Sequence, residues 1–420
     1  NPRRYEFDGA WRDLEIDRQQ VRVRGQGTVE MTIYRSHLGP IANDIVGRLK
    51  DYPDKLALRW TEQEPGRALE GLVALNRAED WPSFRRALAD WTGPHLNFGY
   101  ADAAGNVGYQ APGHVPIRAS GHQGLVPMPG WTSEHVWRGT IPPDELPFLF
   151  NPPAGLILTA NQKVAGDSYP YHLAYEWSDP YRAIHLRQKL LALDRATLDD
   201  SARLQGDSHS LHAEALLPVL RAVEPRTETE REALALVRDW HGDLAVDSAA
   251  AAIFQVWYRH LFHATFYDDL GETFGREYLV YEWIHGPVTA ALVRDPDSRW
   301  FDDAATPATR GRLPAISQRA FEEAIAWLVA RHGEEATAWS WGALHPTVLS
   351  HRGLGTIPVL SGLFNGPSIP VPGDRYTANA AWFRNGGLDS YVAEGGPGQR
   401  FAVDLADPDS ARFSQSSGQT

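Results

Sequence analysis

The polar trio Asn161, Gln162 and Lys163 closes the stretch LTANQKV (158–164), directly after the apolar run NPPAGLI (151–157). An apolar run that enters a sheet would leave Asn161 at a strand end, with its side-chain amide at a fixed point. An amide donates two hydrogen bonds without carrying charge. Held in place, it can stabilise a developing oxyanion, worth about 3 kcal/mol in a barrier. Arg182, at the start of a helical pattern, has a planar fork able to orient a neighbouring group. On residue type alone both read first as structural. HSLH (209–212) sets His209 and His212 three apart on a helix. That spacing could ligate a metal, but no carboxylate motif accompanies it and a packed helix explains the surrounding pattern. Glu322 and Glu323 are adjacent on a helix, hence about 100° apart, and read as a solvated face. There is no GxSxG elbow, P-loop, HExxH or dinucleotide fingerprint.

The elements that must position these residues run in the order strands, helices, strands. QVRVRGQGTVEMTIYR (20–35) alternates on both sides of Gly25-Gln26-Gly27 and predicts a hairpin. KLALRW (55–60) predicts a strand, WPSFRRALADW (81–91) a short helix with proline in its first turn, and 95–113 two strands around Ala104-Gly105-Asn106. The Pro/Gly-rich section 111–153 predicts a long ordered excursion. After Arg182, the segments 181–193, 228–240 and 319–333 carry helical spacing, the last with Gly333 as a stop, and AAAAIFQVW (249–257) reads as a buried helix. Strands and turns return from Trp339, and the polar FSQSSGQT (413–420) shows no closing element. This order favours an α+β architecture over βαβ alternation. It reads as one domain, 1–420: strands and loops over 1–178, a helical section over 179–340, and returning strands over 341–420.

Composition narrows the function classes. The 420 residues allow a large core. A net charge of −13 with no basic stripe excludes a nucleic-acid footprint. No apolar run is long enough to span a membrane. The absence of cysteine removes disulfides, thiolate metal sites and cysteine nucleophiles together, and is compatible with an exported protein. The 15 tryptophans either build a core or form a sugar-stacking platform; most lie in amphipathic patterns, which favours the core.

An ordered series of segments resembles the penicillin acylase family of N-terminal-nucleophile hydrolases. It runs YRSHLGPI (34–41), NFGYADAAGNVGY (97–109), GHVPIRA (113–119), LVPMPGW (125–131), VWRGTIPPDELP (136–147), NPPAGLILTANQKV (151–164) and YPYHLAYEWSDPYRAIHLRQKL (169–190). It continues through LQGDSHSLHAEALLPVL (204–220), DWHGDLAVDSAAAAIFQVW (239–257), WSWGALHPTVLSH (339–351) and LFNGPSIPVPGDRYTANA (363–380). Together these cover essentially the whole chain. Leu38 interrupts the family's usual His-Gly-Pro ending.

The resemblance implies an α+β, four-layer αββα N-terminal-nucleophile sandwich, of which this chain is a part. It also implies hydrolysis of an acyl amide through an acyl-enzyme on an N-terminal serine whose own α-amine is the base. An α-amine titrates near pH 8, far below a lysine, which makes that role accessible. By the same resemblance Asn161 is an oxyanion donor, Arg182 supports it, and Leu96 lines the acyl pocket, an ordinary core leucine being the alternative there. His37, His345 and His351 read as structural. The first residue is Asn1, not serine, so the chain reads as an internal piece of the large subunit, inactive alone, whose partners are a small α-subunit and the remaining large-subunit residues. Penicillin or cephalosporin side chains, N-acyl-homoserine lactones and lipopeptides are the implied substrates, and a bacterial periplasmic or secreted location is expected. No cofactor is required. A structural calcium is a family feature, but the aspartate expected after Tyr169-Pro170 is not evident and its ligands are not identifiable. The competing reading is a catalytically silent, Trp-rich carbohydrate binder.

Overall fold

A computed structural model describes residues 3–63, 65–122, 124–280, 285–302, 311–383 and 387–415. The chain divides into two compact units, one comprising 1–157 with 164–175, the other 158–163 with 176–420.

The first unit carries small antiparallel sheets. β1 (Arg4–Phe7) pairs with β2 (Ala10–Asp13). β3 (Glu15–Val23) and β4 (Gly27–Ser36) form the predicted hairpin, with Val21 opposite Val29, and β5 (Gly39–Pro40) adds to β4. The turn needs left-handed backbone at Gly25 (φ +83°) and Gly27 (φ +79°), which glycine adopts without a Cβ penalty. α1 (Ala68–Leu75) and α2 (Trp81–Ala89) follow. α2 opens on a reciprocal cap between Asp80 and Ser83, with Pro82 in the first turn where its missing N–H costs nothing. β6 (Phe98–Ala101), β7 (Val107–Gln110) and β8 (Phe148–Phe150) make a second three-stranded sheet. Between β7 and β8 the long excursion is ordered by a bridge from Pro116 to Thr140 and by the buried side chains of Ala119, Ile141 and Leu146. The predicted strand at 55–60 reduces to one bridge, Ala57 to Ile41, flanked by backbone bonds from the Ala42 N–H to the Leu56 carbonyl and from the Leu58 N–H to the Pro40 carbonyl.

The second unit is helical at its centre. α3 (Tyr181–Leu191), α4 (Leu198–Gln205), α5 (Leu211–Arg221) and α6 (Glu228–Arg238) lead to α7 (Ala249–Val280). α7 is broken at Gly271, where φ is +67°. α8 (His285–Val293), α9 (Leu313–His332), α10 (Trp341–Leu344), β9 (Pro346–Val348), α11 (Pro358–Phe364) and β10 (Ser368–Pro370) follow. The chain then forms the hairpin β11 (Gln399–Asp404) and β12 (Asp407–Gln415). The polar terminus is therefore partly strand; residues 416–420 lie outside the described residues.

Sequence explains the helices well. Thr227 and Glu230 form a capping box on α6, and Ala233, Leu234 and Val237 bury its apolar stripe. On α9, Ile316, Ala320, Ala324 and Leu328 repeat every four residues, all within the core, and Gly333 ends the helix at φ +85°. The stretch from Ala251 to Trp257 in α7 is buried against α9, and Trp339, Trp341 and Tyr391 fill the same core. The tryptophans thus split. Trp91, Trp257, Trp339 and Trp341 are core, whereas Trp11, Trp60 and Trp131 are exposed in the first unit.

Two predictions follow from this core. Phe321 is fully buried, so Phe321→Ala should cost about 3–5 kcal/mol, read as a shift in the denaturant midpoint. Burial also lowers His212 to about 3 and His285 and His345 to about 4, below their unfolded value of 6.5. Between those values the unfolded chain binds more protons, so stability should fall as pH drops from 6.5 towards 4. Asp374, raised to about 6, and Asp179, also raised by burial, act oppositely in the acid range, but two carboxyls are outweighed by three imidazoles. Melting temperatures across pH 4–7 check the sign.

Candidate active site

LTANQKV does not end a strand. After β8 the backbone carries Asn151 at φ +46°, two prolines without N–H groups, and Gly155 at φ +60°, so no ladder continues. The trio instead forms a local turn. Gln162 Oε1 accepts from the Ala160 N–H (2.6 Å) and its Nε2 donates to the Leu158 carbonyl (3.1 Å). The side chain takes the place of a neighbouring strand in satisfying the backbone. Asn161 sits at φ +65°, in the left-handed region that Asn tolerates better than most residues, and its carbonyl accepts from the Ser178 N–H at 3.0 Å.

Arg182, in the first turn of α3, donates from Nη2 to Asn161 Oδ1 at 2.9 Å. Because a guanidinium has no acceptor, the atom facing it must be the amide oxygen. The amide NH2 is thereby turned the other way, on an exposed residue, and donates to no described residue. Both side chains belong to the second unit, and the structure brings them together.

Behind this pair lie two buried carboxyls that sequence reading missed. Asp179, 1 % exposed, accepts from the Tyr181 N–H through Oδ1, while its Oδ2 is buried with no partner among the described residues. Burial raises its pKa. Asp374, 2 % exposed, accepts from Gln255 Nε2 and the Tyr376 N–H, both at 2.7 Å, and burial pushes it up to about 6. Both acids act on Arg182 electrostatically, against the desolvation that lowers its pKa. Arg182 Nε is itself buried without a partner among the described residues. Asp179-Pro180 just before a helix and Gly373-Asp374 read as turn punctuation, so no local signal revealed their burial.

An aromatic wall surrounds the start of α3. His212 stacks on Tyr376 (3.9 Å between centroids) and meets Tyr258 and Tyr181 edge-on. Gly286, in the first turn of α8, packs so closely that a Cβ there would stand 2.9 Å from the Tyr376 ring and 3.2 Å from Asp179 Cβ.

The metal-spacing idea for His209 and His212 fails geometrically. Ser210 caps α5, so His209 precedes the helix, pairs with Glu214 at 2.9 Å and stacks on His185, whereas His212 points into the aromatic core. Glu322 and Glu323 diverge, one to Arg226 and the other to His260. Among the described residues no three His, Asp or Glu side chains are grouped to hold a metal ion. His37 is fixed against Tyr5, His345 donates from Nδ1 to the Tyr391 carbonyl, and His351 accepts two backbone N–H groups. Leu96, in the first unit, is 50 % exposed and so is not a core leucine.

The family model described as penicillin amidase matches residues 1–420. The chain belongs to the penicillin amidase family. The chain is 27 % identical to the acyl-homoserine lactone acylase QuiP of Pseudomonas fluorescens, covering 99 % of the chain and 52 % of that protein. It is 28 % identical to the penicillin acylase 2 proenzyme of Pseudomonas sp., covering 96 % and 50 %. The chain thus spans about half the length of these relatives. A thermostable penicillin G acylase from Alcaligenes faecalis superposes with a TM-score of 0.62 at 20 % identity, over 81 % of this chain and 65 % of that one. That likeness supports the expected α+β, N-terminal-nucleophile hydrolase fold.

The close approach at Gly286 makes a direct prediction. Gly286→Ala should cost about 1–3 kcal/mol through overpacking, and a structure of the variant should show Asp179 or the Tyr376 ring displaced.

Proposed function

We propose that this chain is part of an amidohydrolase that removes an acyl group from an amide, with Asn161 supplying one oxyanion donor. The supporting observation is the 2.9 Å bond from Arg182 to Asn161 Oδ1, which leaves the amide N–H groups turned outward. In this reading a serine at the N-terminus of the large subunit, outside residues 1–420, attacks the substrate carbonyl. Its proton passes to its own α-amine as base. The carbonyl oxygen becomes an oxyanion, and the Asn161 Nδ2–H donates to it. Collapse expels the amine, which takes the proton, and water then hydrolyses the acyl-enzyme.

Arg182 is a positioning residue here: it fixes the amide's orientation, and its positive charge behind Oδ1 polarises the N–H groups towards the oxyanion. Leu96 is assigned to the acyl pocket. The partners of the chain are a small α-subunit and the rest of the large subunit, generated by autocatalytic processing of a precursor. N-acyl-homoserine lactones and penicillin-type amides are the substrate classes named for its relatives, and cephalosporins and lipopeptides are further classes within this proposal; hydrolysis of the acyl-homoserine lactones would quench signalling. No cofactor enters this chemistry, and the site of action is the bacterial periplasm or the exterior.

Steady-state kinetics of the intact protein on a chromogenic acyl anilide test the assignment. Asn161→Ala should lower kcat about 10²–10³-fold with KM little changed, the cost of one oxyanion donor. Arg182→Lys keeps the charge but loses the planar fork; it should lower kcat less than Asn161→Ala, again without raising KM. Wild-type kcat in Asn161→Ala would overturn the reading.

A further inference from the structure

The first unit contains a cavity of about 240 Å³ that has no part in the reading above. Its walls come from the turn at 116–122 and from 170–172. Arg118 lines it, half-buried, and no acidic side chain among the described residues pairs with it. Burial lowers the Arg118 pKa. An arginine kept partly out of water without a counter-ion is costly unless an anion completes the site.

The donors around it point the same way. His122 Nδ1 accepts from the Gly124 N–H at 3.1 Å, so in the neutral ring the proton sits on Nε2, leaving that nitrogen a donor. Burial and the positive charge of Arg118 both hold His122 towards the neutral form. Ser120 adds a hydroxyl. Gly124, at φ +79°, leaves room for the guanidinium: a Cβ there would lie 3.3 Å from Arg118 Nε. The rest of the wall is less polar. Ile117 and Pro170 line it, and the Tyr171 hydroxyl is engaged by Glu145.

We propose that this cavity binds a small organic carboxylate, its two oxygens on the Arg118 fork with His122 and Ser120 as further donors, and its short apolar tail against Ile117, Pro170 and the Tyr171 ring. A planar fork matches a carboxylate bidentately. The apolar wall favours an alkyl carboxylate over inorganic phosphate, which would leave that surface uncovered.

Ligand-detected NMR and calorimetry on the intact protein test this with butyrate, butyramide and inorganic phosphate. Butyrate should bind saturably and one-to-one, while butyramide, of similar shape but uncharged, should not bind. Arg118→Gln should weaken butyrate at least tenfold, and Arg118→Lys less. Asn161→Ala should leave butyrate binding unchanged, which separates this site from the acyl-amide site. Equal binding of butyramide, unchanged affinity in Arg118→Gln, phosphate binding tighter than butyrate, or loss of butyrate in Asn161→Ala would each overturn the proposal. The butyramide comparison uses the unmodified protein and so does not depend on any variant folding.

Discussion

A guanidinium can only donate, and that one-sidedness orders the candidate site. Where Arg182 meets Asn161 at 2.9 Å, the amide has no choice of face: oxygen inward, nitrogen outward. An unrestrained asparagine would lose part of its value as a donor to rotation, since its terminal torsion is broad. The bond also explains why the turn before α3 is built as it is. Gln162 closes the backbone around Ala160, and the Ser178 N–H holds the Asn161 carbonyl, so main chain and side chain of Asn161 are fixed from opposite ends.

Holding Arg182 there requires an environment that tolerates a partly desolvated cation. Asp179 and Asp374 supply compensating charge without a direct ion pair, and burial raises the pKa of both. Near neutral pH the charge balance around Arg182 therefore depends on two carboxyls that the fold itself makes reluctant to ionise. The aromatic wall of Tyr181, His212, Tyr258 and Tyr376 adds bulk without adding formal charge, because burial keeps His212 neutral. The result is a rigid support whose electrostatics come from few groups, each held by a specific donor such as Gln255 on Asp374.

What could be read from sequence follows the range of the forces involved. α6 and α9 were legible because a capping box, an i, i+4 apolar stripe and a terminal glycine are all local. The β3–β4 hairpin was legible for the same reason. The expected strand at 151–161 was not there: an apolar run shows that a segment avoids water, but a strand needs a partner, and Asn151, Gly155 and Asn161 all have positive φ. Asn161 and Arg182 stood out through side-chain chemistry together with the order of family-like segments. Asp179 and Asp374 did not, because their character comes from burial by α8 and α7, elements far away in sequence.

The left-handed backbone at Asn161 has a consequence for how this position can vary. Glycine would suit φ +65° but carries no amide; aspartate would suit it nearly as well but offers oxygen where nitrogen is wanted; glutamine keeps the amide but adopts this backbone less readily and reaches one methylene too far. No replacement retains both the conformation and the donor. Drift at residue 161 is thus a choice between two losses, so that the local chain path and the chemistry of its side chain cannot be altered independently.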